Sequence, residues 1–247
     1  MKIKILIITF LLCLTLNKAL GAPLISGIST NEINIDTKFK GAQILLFGAK
    51  GDAGNIVITI RGPKKNFLVT KKQKNFGILY NGTRVKFENS NSFFSLFSTF
   101  GDGKIDEEIL ESLELSKNFL NFAINPNHQI KNSDEFKIKL IEEMEKKNLY
   151  NSKTNKVEFL NDTLFKIMLD FPKNIVRGTY TVELYLIKES NLISFQSIPI
   201  YVNQVGFSAK ISDFSYQQGI FYGLLAVILA LVVGWITNYI FVKFIGK

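Results

Sequence analysis

The sequence predicts a mainly β protein: an immunoglobulin-like antiparallel β-sandwich with an inserted helical hairpin (about 105–150), followed by one C-terminal transmembrane helix. Three observations predict it. Apolar and polar residues alternate at period two in many short runs, broken by Gly, Pro, Asn or Asp roughly every 8–12 residues. Between Asp106 and Leu149 the apolar spacing lengthens to three and four, the period of helices. Finally, Gly219 to Val242 carries no charge at all.

That last stretch, GIFYGLLAVILALVVGWITNYIFV, exceeds the ~20 residues that cross a bilayer as a helix. At about 1.5 Å per residue it reaches roughly 36 Å, a hydrocarbon core with some tilt. Tyr222, Trp235 and Tyr239 sit where aromatic anchors meet the membrane interface. Lys243 and Lys247 follow and favour a cytoplasmic tail over residues 243–247. Gly219, Gly223, Ala226, Ala230 and Gly234 fall within an arc of roughly 80° at ~100° per residue, and Thr237 joins them. Small residues let a second helix approach, so the stripe is a candidate helix–helix contact, with another membrane protein or a second copy. Gly and Ala are also common in any membrane helix.

At the other end, Lys2 and Lys4 precede the apolar run Ile5–Leu16, and Ala19-Leu20-Gly21 offers small residues for cleavage. This is the plan of a secretory signal over residues 1–21, leaving an exported domain over 22–214. Cys13 lies inside the signal, so the mature chain holds no cysteine, which excludes disulfides and thiol chemistry. The formal net charge is +9, but five lysines lie in the signal or the tail. The exported part then holds 25 basic against 21 acidic residues, too even a balance for a nucleic-acid partner.

Taken in order, Ile33 and Ile35 alternate with polar residues, Ala42–Phe47 is an apolar run, and Ile56, Ile58 and Ile60 alternate up to Arg61-Gly62-Pro63. Phe67–Thr70, Ile78–Tyr80, Val85–Phe87 and Phe93–Phe97 continue the same sandwich, with Asn81-Gly82 as a hairpin turn. A helix is expected from Asp106 to Phe122, on Ile109, Leu110, Leu113 and Leu120, with acids in its first turn. Asn125-Pro126-Asn127 separates it from a second helix, Ser133–Leu149, with Phe136, Leu140, Ile141 and Met144 on one face. Strands resume at Val157–Leu160 and Leu164–Leu169. Gly178-Thr179-Tyr180 opens the clearest one, with Tyr180, Val182, Leu184 and Leu186 facing one way. Ile198, Ile200 and Val202 form the last, where Pro199 marks an edge. Ser208–Gln218 links to the span.

Several of these stretches resemble the putative transmembrane protein family of alphaproteobacteria. They are Ala22–Ile25 with Glu32-Ile33, GAQILLFGA (Gly41–Ala49), IVITIRGP (Ile56–Pro63), GILYN (Gly77–Asn81), LYNSKTNKVEFLNDTLF (Leu149–Phe165), GTYTVELYL (Gly178–Leu186) and VGF before the terminal helix. The resemblance implies an exported domain with one anchor in the bacterial inner membrane, the domain in the periplasm. It implies no activity, and as a partner a sulfite-exporter-type permease. Asn91-Ser92-Phe93-Phe94 departs from the family's Pro-Ser-Phe-Tyr-like stretch, which puts any role of that stretch in doubt.

No catalytic residue, metal ligand or cofactor site is expected. Asp102-Gly103-Lys104-Ile105-Asp106 imitates part of a calcium loop, but its register would place Ser98, Phe100 and Ile109 where ligands belong. His128 is the one histidine and sits in a polar stretch. Glu107, Glu108 and Glu111, like Glu142, Glu143 and Glu145, belong to solvated helix faces. Asn81-Gly82-Thr83 and Asn161-Asp162-Thr163 match a glycosylation pattern that in a bacterial setting means only turns. Arg61, one of three arginines, is a candidate anion contact, or an ordinary strand-end charge. Phe93, Phe94, Phe97 and Phe100 form core packing, or an exposed partner patch. The expected function is a non-enzymatic accessory domain of an inner-membrane transporter or envelope complex; the alternative is a periplasmic binding module for a small anion or envelope glycan.

Overall fold

The computed structural model describes residues 23–51, 53–100, 105–124, 133–151 and 155–244. The expected signal with Cys13, Asp102–Lys104, Asn125–Asn127, His128 and the last three residues lie outside the described residues. In chain order the first half forms β1 (Leu24–Ile28), β2 (Glu32–Ile35), β3 (Gly41–Lys50), β4 (Asn55–Arg61), β5 (Lys64–Asn75), β6 (Ile78–Asn91), β7 (Phe94–Ser98), α1 (Glu107–Ser112) and β8 (Ala123–Ile124). The second half forms α2 (Ser133–Lys146), β9 (Asn155–Lys156), β10 (Glu158–Phe159), β11 (Leu164–Pro172), β12 (Gly178–Lys188), β13 (Asn191–Gln204), α3 (Phe207–Gln217) and α4 (Gly219–Phe244).

Period-two alternation turns every second side chain of these strands inward. Leu24, Ile44, Leu46, Phe165, Ile167 and Leu169 come from a four-stranded antiparallel sheet, in the order β1-β3-β11-β10. They meet Ile56, Ile58, Ile60, Tyr180, Val182, Leu184, Leu186, Ile200 and Val202 from a six-stranded sheet, in the order β2-β13-β12-β4-β7-β9. The two sheets thus share one apolar core. Strand β2 pairs with β13 only from Tyr201 onward, in parallel, so the half of β13 containing Pro199 is an edge there, as the proline requires.

The chain departs from expectation between β4 and β7. Strands β5 and β6 do not continue the core sheets but pair with β8 in a separate three-stranded sheet. Its turn is Phe76-Gly77, both at positive φ (46° and 83°), the backbone of a two-residue hairpin. Asn81-Gly82 instead lies within β6, where pairing slips between Thr70 and Lys72, so the Asn-Gly signal marks an irregularity in the ladder.

Both helices of the insert end short of the bounds expected for them, Phe122 and Leu149, by the same device. In α1 the Glu114 N–H bonds Glu111 O and the Leu115 N–H bonds Leu110 O, with Glu114 at φ 50°. In α2 the Asn148 N–H bonds Glu145 O and the Leu149 N–H bonds Met144 O, with Asn148 at φ 55°. Each is a left-handed residue closing the last turn; Leu115 then packs in one cluster with Leu110 and Leu113, and Leu149 reaches both the α2 cluster and the inter-sheet core. The inserted helices pack apart. Ile109, Leu110, Leu113 and Leu115 cover Val57, Tyr185 and Ile187 on the outer face of the six-stranded sheet. Phe136, Leu140, Ile141 and Met144 pack with Val85 and Phe87 of the β5–β6 sheet.

One tyrosine pins the entry to β12. The Tyr180 hydroxyl accepts from the Val176 N–H and donates to the Val176 carbonyl, both at 3.1 Å, with the ring fully buried. Tyr180→Phe leaves both backbone groups without that partner, and the expected cost is about 1–3 kcal/mol in urea unfolding of the detergent-solubilised chain. Tyr201→Phe, on an exposed ring, should stay within about 0.5 kcal/mol.

Candidate functional site

The C-terminal helix α4 is continuous over Gly219–Phe244, and Gly219–Lys243, 25 residues, is long and apolar enough to cross a membrane. None of that span is buried by the rest of the chain. Its large apolar side chains stand out on all sides, and a Cβ added at Gly219, Gly223 or Gly234 would meet no atom within 4 Å. The Thr237 hydroxyl donates to Val233 O at 2.8 Å, so that polar group is satisfied within the helix. Trp235 stacks on Tyr239, with Lys243 Nζ 5.5 Å from the tyrosine ring. The five small residues therefore lie bare along the helix.

Arg61, the candidate anion contact, is spent inside the protein. Its Nε donates to Glu183 Oε2 at 2.7 Å, and Nη2 donates to the carbonyls of Leu113 and Glu114 at 2.9 and 3.1 Å. Nη1 lies 3.5 Å from Glu114 Oε2, and the guanidinium sits over the Phe94 ring. These carbonyls are the orphans at the end of α1, so Arg61 caps that helix and holds the left-handed Glu114 in place. The same Glu183 oxygen also accepts from the Thr59 and Tyr185 hydroxyls at 3.0 and 2.9 Å. Burial alone would lower the Arg61 pKa, but the bond to Glu183 and its charge outweigh it and raise it. The anion that Arg61 holds belongs to its own chain.

Phe93, Phe94 and Phe97 are buried, which favours core packing over an exposed patch, yet they enter different clusters. Phe93 and Phe97 join the core between the sheets, Phe94 joins the α2 cluster, and Phe100 packs on the α1 cluster. Beside them a cleft of about 490 Å³ opens between β3, β7 and β11, lined among others by Lys40, Gln43, Ser95, Asn151 and Asp170. Gln43 donates to Asp170 Oδ1 at 2.7 Å and Asn151 to Ser95 Oγ at 3.2 Å. Among the described residues no three of His, Cys, Asp and Glu gather as a metal-holding group.

The profile of the family described as "Putative transmembrane protein" matches residues 23–243, from the first described residue to the end of the apolar helix. The chain belongs to that family. No curated protein matches the chain. Membership and the single bare apolar helix agree on a membrane protein with one candidate span at its C-terminus.

Sequence reasoning singled out Arg61 but missed Glu183 and Glu114. Both come from distant segments brought to it by the β4–β12 register and by the end of α1. Arg61→Ala leaves Glu183 and two helix-end carbonyls without their cation, and chemical denaturation should show a loss of about 3–5 kcal/mol. Arg61→Lys keeps the charge but not the fork and should recover only part of it. A second expectation concerns pH. Burial pushes the Tyr150 and Tyr180 phenols up, and burial followed by the Glu183 charge pushes Tyr185 up to about 12 from its ordinary 10. Below pH 10 these phenols are protonated in both folded and unfolded chains, so their contribution is intact. Above it the unfolded chain ionises first, and thermal stability should fall as pH rises through about 12. Tyr185→Phe should flatten part of that fall.

Proposed function

We propose that this protein is a non-enzymatic accessory domain, exported to the periplasm and anchored in the bacterial inner membrane by α4. There it partners a transporter or envelope complex through the stripe Gly219, Gly223, Ala226, Ala230 and Gly234. The observation that carries the reading is the bareness of α4: the exported domain covers none of it, and the glycines leave room for a second helix. A polytopic permease, of the sulfite-exporter type that the family resemblance implies, is the proposed partner class. Self-association through the same stripe is the other arrangement with this chemistry. The β domain is proposed as an immunoglobulin-like sandwich. Its strand orders, with a tyrosine at the start of β12 bonded back to the preceding backbone, support that comparison.

Affinity purification of the full-length chain from its native membrane in mild detergent tests the reading. The wild type should bring down one membrane protein in near-equal amount, and Gly223→Ile/Ala230→Ile should lose it. Recovery of the wild type alone, or equal recovery with the variant, overturns it.

The cleft beside Asp170 favours a second reading, a binding module for a small anion or envelope glycan, because polar groups converge there beside buried aromatic residues. Arg61 is not among its lining residues. Under this reading an anion or sugar panel raises the melting temperature of the wild type, and Asp170→Ala/Asn151→Ala abolishes the rise. A flat panel removes it.

A further inference from the structure

We infer that the β5–β6 hairpin is a second membrane contact, a tip that docks into the interface of a bilayer bearing anionic headgroups. Charge is the first reason. From Lys64 to Asn91 the hairpin holds seven cations (Lys64, Lys65, Lys71, Lys72, Lys74, Arg84, Lys86) and one acid, Glu88, which pairs with Lys86, while Lys71 pairs with Glu135 of α2. The exported part as a whole holds 25 basic and 21 acidic residues, so without this segment it holds 18 against 20. All of the domain's positive excess is concentrated in one ribbon.

The tip supplies the apolar half of an interfacial anchor. Phe76 is 98 % exposed, Ile78 72 %, Leu79 69 % and Tyr80 46 %. Ile78 and Tyr80 point to one face of the ribbon and Leu79 to the other, since strand side chains alternate. A protein partner would cover one face; a lipid interface takes both. Phe76 also holds a left-handed backbone at φ 46°, a conformation that a bulky residue adopts at a cost. Glycine or asparagine would form this turn without strain, so an exposed phenylalanine there is a choice of side chain over backbone ease. Apolar and aromatic groups ringed by lysines are the composition that binds anionic membrane surfaces.

Topology puts the root of the hairpin on the membrane side. Strand β4 ends at Arg61 opposite Thr181 of β12, and Gly178 at the start of β12 pairs with Val202, near the end of β13. A Cβ on Gly178 would lie 2.9 Å from Pro63, the residue before β5. The chain leaves β13 at this same end through α3, which Arg177 ties back by its 3.5 Å bridge to Asp213, and continues into α4. The hairpin and the membrane helix therefore leave the domain at one end.

This inference rests on α4 being in the bilayer, so the test reads both elements. In a Cys13→Ala background the chain has no other thiol, and an environment-sensitive fluorophore is attached to one of three full-length variants: Leu79→Cys at the tip, Val227→Cys in α4, or Asn191→Cys at the opposite end of the domain. Each is reconstituted into mixed phosphatidylglycerol–phosphatidylcholine vesicles carrying a quencher on the acyl chain. The expected result is blue-shifted, quenched emission at positions 79 and 227, and solvent-like emission at 191. The signal at 79 alone should be lost in pure phosphatidylcholine, in high salt, in Lys71→Gln/Lys72→Gln/Lys74→Gln and in Phe76→Gly, which relieves the turn and so keeps the hairpin folded. A quenched 227 with a solvent-like 79 overturns the inference while leaving the anchor standing; an unquenched 227 overturns the anchor itself. Equal quenching at 79 without phosphatidylglycerol overturns the role of the cations. Protection at 79 only after addition of native membrane proteins overturns the lipid and assigns the tip to a protein.

Discussion

The exposure of α4 is the constraint on which the rest of this molecule depends. A predominantly apolar helix span of 25 residues with no part covered by its own domain must be covered by something else, and a bilayer meets that need around its whole circumference. Its backbone groups are satisfied within the helix, and the Thr237 hydroxyl folds its hydrogen bond back onto Val233. What a bilayer covers poorly is a groove of small residues, where lipid chains gain little contact and a second helix gains more. Anchoring and the stripe from Gly219 to Gly234 are therefore two consequences of one element.

The domain in front of the helix holds no cysteine from residue 23 onward, so no disulfide ties it and it relies on packing. The run Phe93–Phe97 is where three apolar clusters meet, its aromatic rings divided between the inter-sheet core and the α2 cluster while Leu96 also touches the α1 cluster. Arg61 stands at the same junction. It joins β4 to β12 through Glu183, closes α1 through two carbonyls and lies over Phe94. A desolvated arginine in such a place is stable because each face of its guanidinium fork meets an acceptor, and Glu183 in turn collects three donors.

The alternation of β4, β12 and β13 was legible because each has one face in a continuous core, which imposes period two on the residues themselves. The membrane helix was legible from length and absence of charge. The helix ends were not: a left-handed Glu114 gives no sequence signal of the kind a glycine would, and its placement depends on Arg61, distant in sequence. The hairpin turn was misplaced because Asn81-Gly82 carries the usual turn letters while the real turn uses Phe76-Gly77. The separate three-stranded sheet was missed because its strands alternate like core strands and only tertiary pairing sets them apart. Glu183 alternates with the core-facing Val182 and Leu184, and nothing short of the strand register brings it to Arg61.

The most direct test of this account is a photo-crosslinking scan along α4 in the native membrane, with a crosslinking side chain placed singly from position 219 to position 237. Adducts should recur at Gly219, Gly223, Ala226, Ala230 and Gly234, with none at Phe221, Ile228 or Val232 on the opposite face. Adducts spread evenly around the helix, or none at any position, would contradict it.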